Sequence, residues 1–157
     1  MKTHTSTGFT IVELLIVIVV IGILAAITIV AYSGVQDRAG LSRSLGDLSS
    51  LQKAIEAYKA INGTYPSSAG AWRNSNDNPT DYVPNLTPNT IGSLPQPQYT
   101  STGGEYMYIS NGADYKIMAH TGKYQDLCPQ VKAKHPEMVP SRDCWAYAYY
   151  TPGGRLF

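Results

Sequence analysis

Charge is scarce in this sequence: Asp, Glu, Lys and Arg make up 15% of its 157 residues, against roughly 25% in an ordinary globular protein. The signs balance, with 12 Lys plus Arg and 11 Asp plus Glu, so the strongly basic stripe of a dedicated nucleic-acid binder is missing. Cysteine is scarcer still. Two thiols exclude a disulfide scaffold, a zinc finger and an iron–sulfur site, and leave room for one bridge. Apolar residues at 43% exclude a wholly disordered chain, and the length excludes two full domains, suiting one domain with an appended segment.

In one stretch charge is absent altogether. Leu14 to Val35 is 22 residues without a charge or a proline, about 33 Å as a helix and enough to cross the hydrocarbon core of a bilayer. A soluble core helix of that length would carry a polar stripe, and none is present; the run predicts a membrane segment. Ahead of it lie a short polar leader, Met1 to Gly8, then Phe9, Thr10, Ile11, Val12, and Glu13 set inside the apolar entrance. A secretory signal has an apolar core of about 7–15 residues ending at a small-x-small site. Ala31-Tyr32-Ser33 offers such a site, but the run is too long and Glu13 is unexplained. A plain anchor does not explain Glu13 either, since a carboxylate deep in a bilayer costs on the order of 3 kcal/mol and marks function by default.

Gly8-Phe9-Thr10-x-x-Glu13-Leu14, followed by Gly22-Ile23-Leu24-Ala25-Ala26-Ile27 and Ala31-Tyr32, resembles the prepilin signal of type IV pilins and their type II secretion pseudopilin relatives. The likeness covers about the first 32 residues. It implies cleavage between Gly8 and Phe9 by a prepilin peptidase on the cytoplasmic face, N-methylation of Phe9, and retention of the apolar run. The partners it implies are identical or related subunits in a helical polymer, the peptidase, and the cytoplasmic membrane with its assembly machinery. The chain is then single-pass in the inner membrane before assembly, and part of an extracellular pilus or a periplasmic filament after it. Val30 stands where many relatives have proline, so no proline kink is carried over. Lys2 precedes the span while Arg38 and Arg43 follow it, so the orientation rests on the resemblance rather than on charge. Cleavage frees an amine at Phe9, and Glu13 of one subunit would meet the Phe9 amine of a neighbour. Among apolar contacts that tolerate sliding, such an ion pair fixes axial register.

Leu41, Leu45, Leu48, Leu51, Ile55, Tyr58 and Ile61 recur at threes and fours and predict an amphipathic continuation of the helix, from about Thr10 to Asn62. Asp47, Lys53, Glu56 and Lys59 fall on its other faces, and Asn62-Gly63 ends it. Gly22, Gly34, Gly40 and Gly46 interrupt it at about 1 kcal/mol each; Gly22 allows close helix approach, marks where the helix loosens during assembly as in related filaments, or is tolerated without a role. From Pro66 to Pro97 the chain holds six of its 10 prolines and no periodicity, a long loop pinned by Trp72 and Tyr82. Glu105–Ile109 and Asp114–Ala119 flank Ser110-Asn111-Gly112-Ala113 as a hairpin, and Cys144–Tyr150 reads as a third strand. The expected fold is α+β: a long N-terminal helix, half transmembrane and half amphipathic, packed on a small antiparallel sheet. Its organisation is a leader (1–8), a span (9–35) and a head (36–157), and the pilin resemblance implies the same arrangement.

Thr121 to Asp143 reads as a loop. Cys128 and Cys144 enclose 15 residues; they form either two free thiols or a bridge contributing about 3 kcal/mol. A disulfide-bounded loop near the C-terminus is common in type IV pilins and less so in pseudopilins. No cofactor and no metal are expected. His4 goes with the leader, His120 and His135 have no ligand-like companions, and Pro136 prevents His135 and Glu137 from sharing a zinc helix. Asp126, Glu137 and Asp143 fall short of a calcium-loop pattern, although some pseudopilins bind calcium in a comparable region. Gly103-Gly104 and Gly153-Gly154 are turn material. No nucleophile–base pairing is present, so no enzymatic role is expected. Tyr106, Tyr108, Tyr147, Tyr149 and Tyr150 either pack across strands or form a sugar-binding face. The expectation is a structural subunit of a type IV pilus-like filament. The alternatives are a secretion or competence pseudopilin, or a minor tip subunit acting as adhesin or DNA binder.

Overall fold

The computed structural model describes residues 8–98, 104–120, 122–138 and 144–157. Leader residues 1–7, with Lys2 and His4, lie outside the described residues, as do Gly103, Pro140 and Asp143. Helix α1 (Ile11–Asn62) runs on from the apolar stretch without a break. Gly63 stops it: its φ of 79° places it in the left-handed region, and its N–H donates to the Lys59 carbonyl at 2.7 Å, a helix end that glycine adopts without a Cβ penalty. Two compact units divide the chain, the first ending at Gln36 and the second running from Asp37 to Phe157.

In the first unit every large apolar side chain from Phe9 to Ile29 is at least 48% exposed. A helix that is apolar all round belongs in a membrane or in the core of an assembly. The second unit buries its helix instead. Four antiparallel strands stand in chain order: β1 (Arg73–Asn74), β2 (Glu105–Ser110), β3 (Tyr115–His120) and β4 (Ala146–Tyr150). Tyr108 is paired with Ile117, and Ile117 with Tyr149. The two-residue period of each strand sends Tyr106, Tyr108, Tyr115, Ile117, Ala119 and Tyr147 into one core with Leu41, Leu48, Leu51, Ala54 and Ile55 of α1. Each fully buried Leu or Ile there contributes about 1.5–3 kcal/mol. The opposite face carries a smaller cluster of Met118, Ala146 and Ala148. At the β2–β3 turn, Asn111 Oδ1 accepts from the N–H groups of Ala113 and Asp114 at 3.0 and 2.8 Å, the local bonding that makes Asn a turn residue.

Two loop readings need correction. The proline-rich stretch contains β1 and supplies core residues: Tyr82, Val83, Leu86 and Leu94 are buried, and Tyr82 Oη donates to the Pro95 carbonyl at 2.8 Å. Tyr82 therefore pins this segment. Trp72 does not, being 40% exposed. The late segment is helical for much of its length, with a 3₁₀ turn over Gly122–Leu127 and α2 over Cys128–Lys134. Pro129 lies in the first turn of α2, where a missing N–H leaves nothing unpaired; proline here starts a helix rather than marking a loop. Cys128 and Cys144 are joined by a disulfide, with Cα atoms 5.8 Å apart, a spacing within the ordinary range.

Candidate assembly site

The N-terminal segment is built around Glu13. Thr10 is the residue before the first turn of α1, and Glu13 is the third residue of the helix. Glu13 Oε2 accepts from the Thr10 N–H at 2.8 Å and from the Thr10 hydroxyl at 2.7 Å. In return Thr10 Oγ1 accepts from the Glu13 N–H at 3.2 Å. This is a capping box, in which two otherwise unpaired helix-end donors are satisfied reciprocally. Its sequence signature, Thr-x-x-Glu ahead of an apolar run, lies in residues 10–13, where the same glutamate also reads as a carboxylate at an apolar entrance. The box takes Oε2; Oε1 has no part in it.

Gly8 and Phe9 precede the helix, and Phe9 is 82% exposed. Added Cβ atoms at Gly22, Gly34 or Gly46 would meet nothing within 4 Å, so within a single copy these glycines leave open helix surface.

Sheet tyrosines fasten the head to α1. Tyr106 Oη donates to Asp47 Oδ2 at 2.7 Å, and Tyr115 Oη to Glu56 Oε1 at 3.1 Å. Tyr65 Oη reaches both Glu56 oxygens at 3.2 Å, and Lys59 Nζ lies 4.0 Å above the Tyr65 ring. Asp47 and Glu56, expected on outward faces of the helix, are therefore acceptors for the sheet. Burial pushes the phenols of Tyr106 and Tyr115 well above their ordinary range, reinforced at Tyr106 by the hydrogen bond to Asp47 and at Tyr115 by the charge of Glu56. Tyr106, Tyr108 and Tyr147 are closed off in the core, so these three form no sugar-binding face.

Among the described residues no three His, Cys, Asp or Glu side chains gather as a metal site. Asp126 is exposed, Glu137 Oε1 lies 3.2 Å from His135 Nδ1, and Asp143 is outside the described residues. His120 Nδ1 is 3.5 Å from Glu105 Oε1. Gly153 and Gly154 fall in a 3₁₀ turn over Gly153–Leu156.

An unpartnered apolar helix with a capped acidic entrance, continuing into an α+β head, defines a pilin-like filament subunit. Residues 4–29 match the prokaryotic N-terminal methylation motif. The chain is 30% identical over 122 residues to the type II secretion system core protein G of Klebsiella michiganensis, covering 74% of this chain and 82% of that one. It is 29% identical over 116 residues to the same protein of Vibrio cholerae (71% and 75% covered) and 29% over 112 residues to that of Pseudomonas aeruginosa (71% and 79%). No solved structure matches it. The chain belongs to the type II secretion core protein G family of pseudopilins.

Proposed function

We propose that this protein is a structural, non-catalytic subunit of a periplasmic filament of the type II secretion kind. It is made as a prepilin with leader 1–8, cleaved between Gly8 and Phe9, methylated at Phe9 and held in the inner membrane by 9–35 until it polymerises. The head, 36–157, supplies the filament surface. The observation that carries this reading is the segment from Phe9 to Ile29, whose large apolar side chains all lie open in a single copy. Leaving so much apolar surface without cover is untenable in water, so lipid covers it first and other copies cover it afterwards. In the assembled state Glu13 pairs with the Phe9 amine of a neighbour.

Mass analysis of the mature chain tests the processing steps: an N-methylated Phe9 start supports the reading, and an intact Met1 or a start at Gly34 refutes it. Deleting the gene product should abolish secretion across the outer membrane. A second reading, a type IV pilus exposed on the cell, is favoured by the Cys128–Cys144 bridge, because a C-terminal disulfide loop is more common in those pilins. Recovery of this chain in filaments sheared from the cell surface, with secretion intact in its absence, would select that reading.

A further inference from the structure

Four cations of the head have a partner in place. Arg43 lies 4.0 Å from Asp47, Arg73 lies 2.9 Å from Asp81, Lys59 sits over Tyr65, and Lys116 Nζ donates to the Phe157 carbonyl at 2.6 Å. Lys53, Lys132 and Arg155 have no carboxylate within ion-pair distance among the described residues, and neither do Arg38 and Lys134. Of these, Arg38 and Lys134 line the same cavity, of about 300 Å³, between α1 and α2. From α1 the cavity takes Arg38, Leu41 and Ser42; from α2 it takes Gln130, Val131 and Lys134. Leu41 and Val131 are buried and make an aliphatic floor, while the remaining four present hydrogen-bond donors. Among the described residues no Asp or Glu lines the cavity. His135, also at its rim, is engaged by Glu137 at 3.2 Å.

Two uncompensated positive charges, two neutral donors and an apolar floor are complementary to an anion that carries a hydrocarbon portion. Arg38 follows the end of the uncharged run at Val35 by three residues, so a membrane-held chain carries it in the headgroup layer, where anionic lipid is the abundant species of that chemistry. We propose that this cavity receives the headgroup of an anionic phospholipid. Arg38 and Lys134 take the phosphate oxygens, Ser42 and Gln130 the glycerol oxygens, and Leu41 and Val131 the first methylenes. The headgroup is given up when the subunit enters the filament. The inference rests on the membrane-held precursor proposed above.

The test uses the full chain in vesicles of phosphatidylcholine, with and without phosphatidylglycerol, read by hydrogen exchange. Phosphatidylglycerol should slow exchange of the amides of Val131–His135 roughly thirtyfold, the scale set by two basic side chains meeting an anionic surface. Arg38→Gln with Lys134→Gln should remove that slowing while leaving exchange in β2 and β3 unchanged, and Arg38→Lys with Lys134→Arg should keep it. Lys53→Gln with Arg155→Gln, which removes charges that do not line the cavity, should also keep it. Equal protection in phosphatidylcholine alone overturns the proposal, as does protection that survives the Arg38/Lys134 pair or is lost equally in the Lys53/Arg155 pair. Protection reproduced by inorganic phosphate in phosphatidylcholine vesicles overturns the lipid source in favour of a free anion. Alkaline extraction of the same vesicles separates the two levels of failure. A chain that washes off refutes the membrane-held reading together with this one, whereas a chain that stays inserted but unresponsive refutes this one alone.

Discussion

Glu13 is assigned two tasks, a cap within its own chain and a charge partner for a neighbour, and substitutions at positions 10 and 13 separate them. Thr10→Ala removes the hydroxyl bonds of the box, at 2.7 and 3.2 Å, and keeps the carboxylate. Losing such a cap costs about 1 kcal/mol, confined to the first turn of a 52-residue helix. Glu13→Ala removes the box and also leaves a neighbour's Phe9 amine buried without a partner, a loss of about 2–5 kcal/mol per contact. The difference, about 2–5 kcal/mol, corresponds to a change of roughly thirtyfold or more in each subunit contact and is repeated along a filament. Expressed beside a working assembly machinery, both variants should be cleaved normally by mass analysis. Thr10→Ala should then enter cross-linkable filaments at near wild-type yield, while Glu13→Ala should accumulate as membrane-held single copies. Equal filament yields for the two variants would refute the reasoning, and so would wild-type yield from Glu13→Ala.

Three further outcomes follow from the head. Tyr82, Tyr106, Tyr108 and Tyr115 have folded-state pKa values raised by burial, so their stabilising preference for the protonated phenol is fully present below the unfolded value of about 10 and is lost as pH rises above it. Tyrosinate absorbance should therefore rise in two stages, exposed phenols first and the buried set only with alkaline unfolding; a single early stage would contradict the burial. Replacing Cys128 and Cys144 with Ser should cost about 3 kcal/mol on loop length and lower the melting temperature by roughly 6–12 °C, measured on the full chain in detergent. Gly154 is buried, and a Cβ there would overlap the Tyr115 carbonyl oxygen. Gly154→Ala should destabilise by about 1–3 kcal/mol, seen as a lower urea midpoint with the secondary structure unchanged.

The elements of this fold are legible where periodicity is strong. Leu41, Leu48, Leu51 and Ile55 repeat at helical spacing and are buried as that spacing requires, and the Asn111-Gly112 turn sits between two strands of alternating pattern. Local patterning failed where tertiary context decides. Arg73–Asn74 is a strand only because β2 offers it an edge, and two residues are too short for any period to register. Within the stretch read as a loop, Pro129 starts α2, and a proline's place in a helix is not visible until the helix is known. Asp47 and Glu56 looked like solvent-facing charges because the phenols that reach them lie 59 residues away along the chain. At the assembly segment the apolar run and the acid were plain, while the capping box shared its residues with a louder signal.

The spacing of Asp47 and Glu56 has a mechanical consequence. They are nine residues apart, about 13.5 Å of helix rise, and each is fastened to a different strand of the same sheet, Asp47 to β2 and Glu56 to β3. A pull along the axis of α1 loads both phenol–carboxylate links in shear together with the leucines between them, so they must yield at once rather than unzip in turn. The head is thus attached like a bracket with two separated bolts, and an axial load on this half of α1 is shared between them.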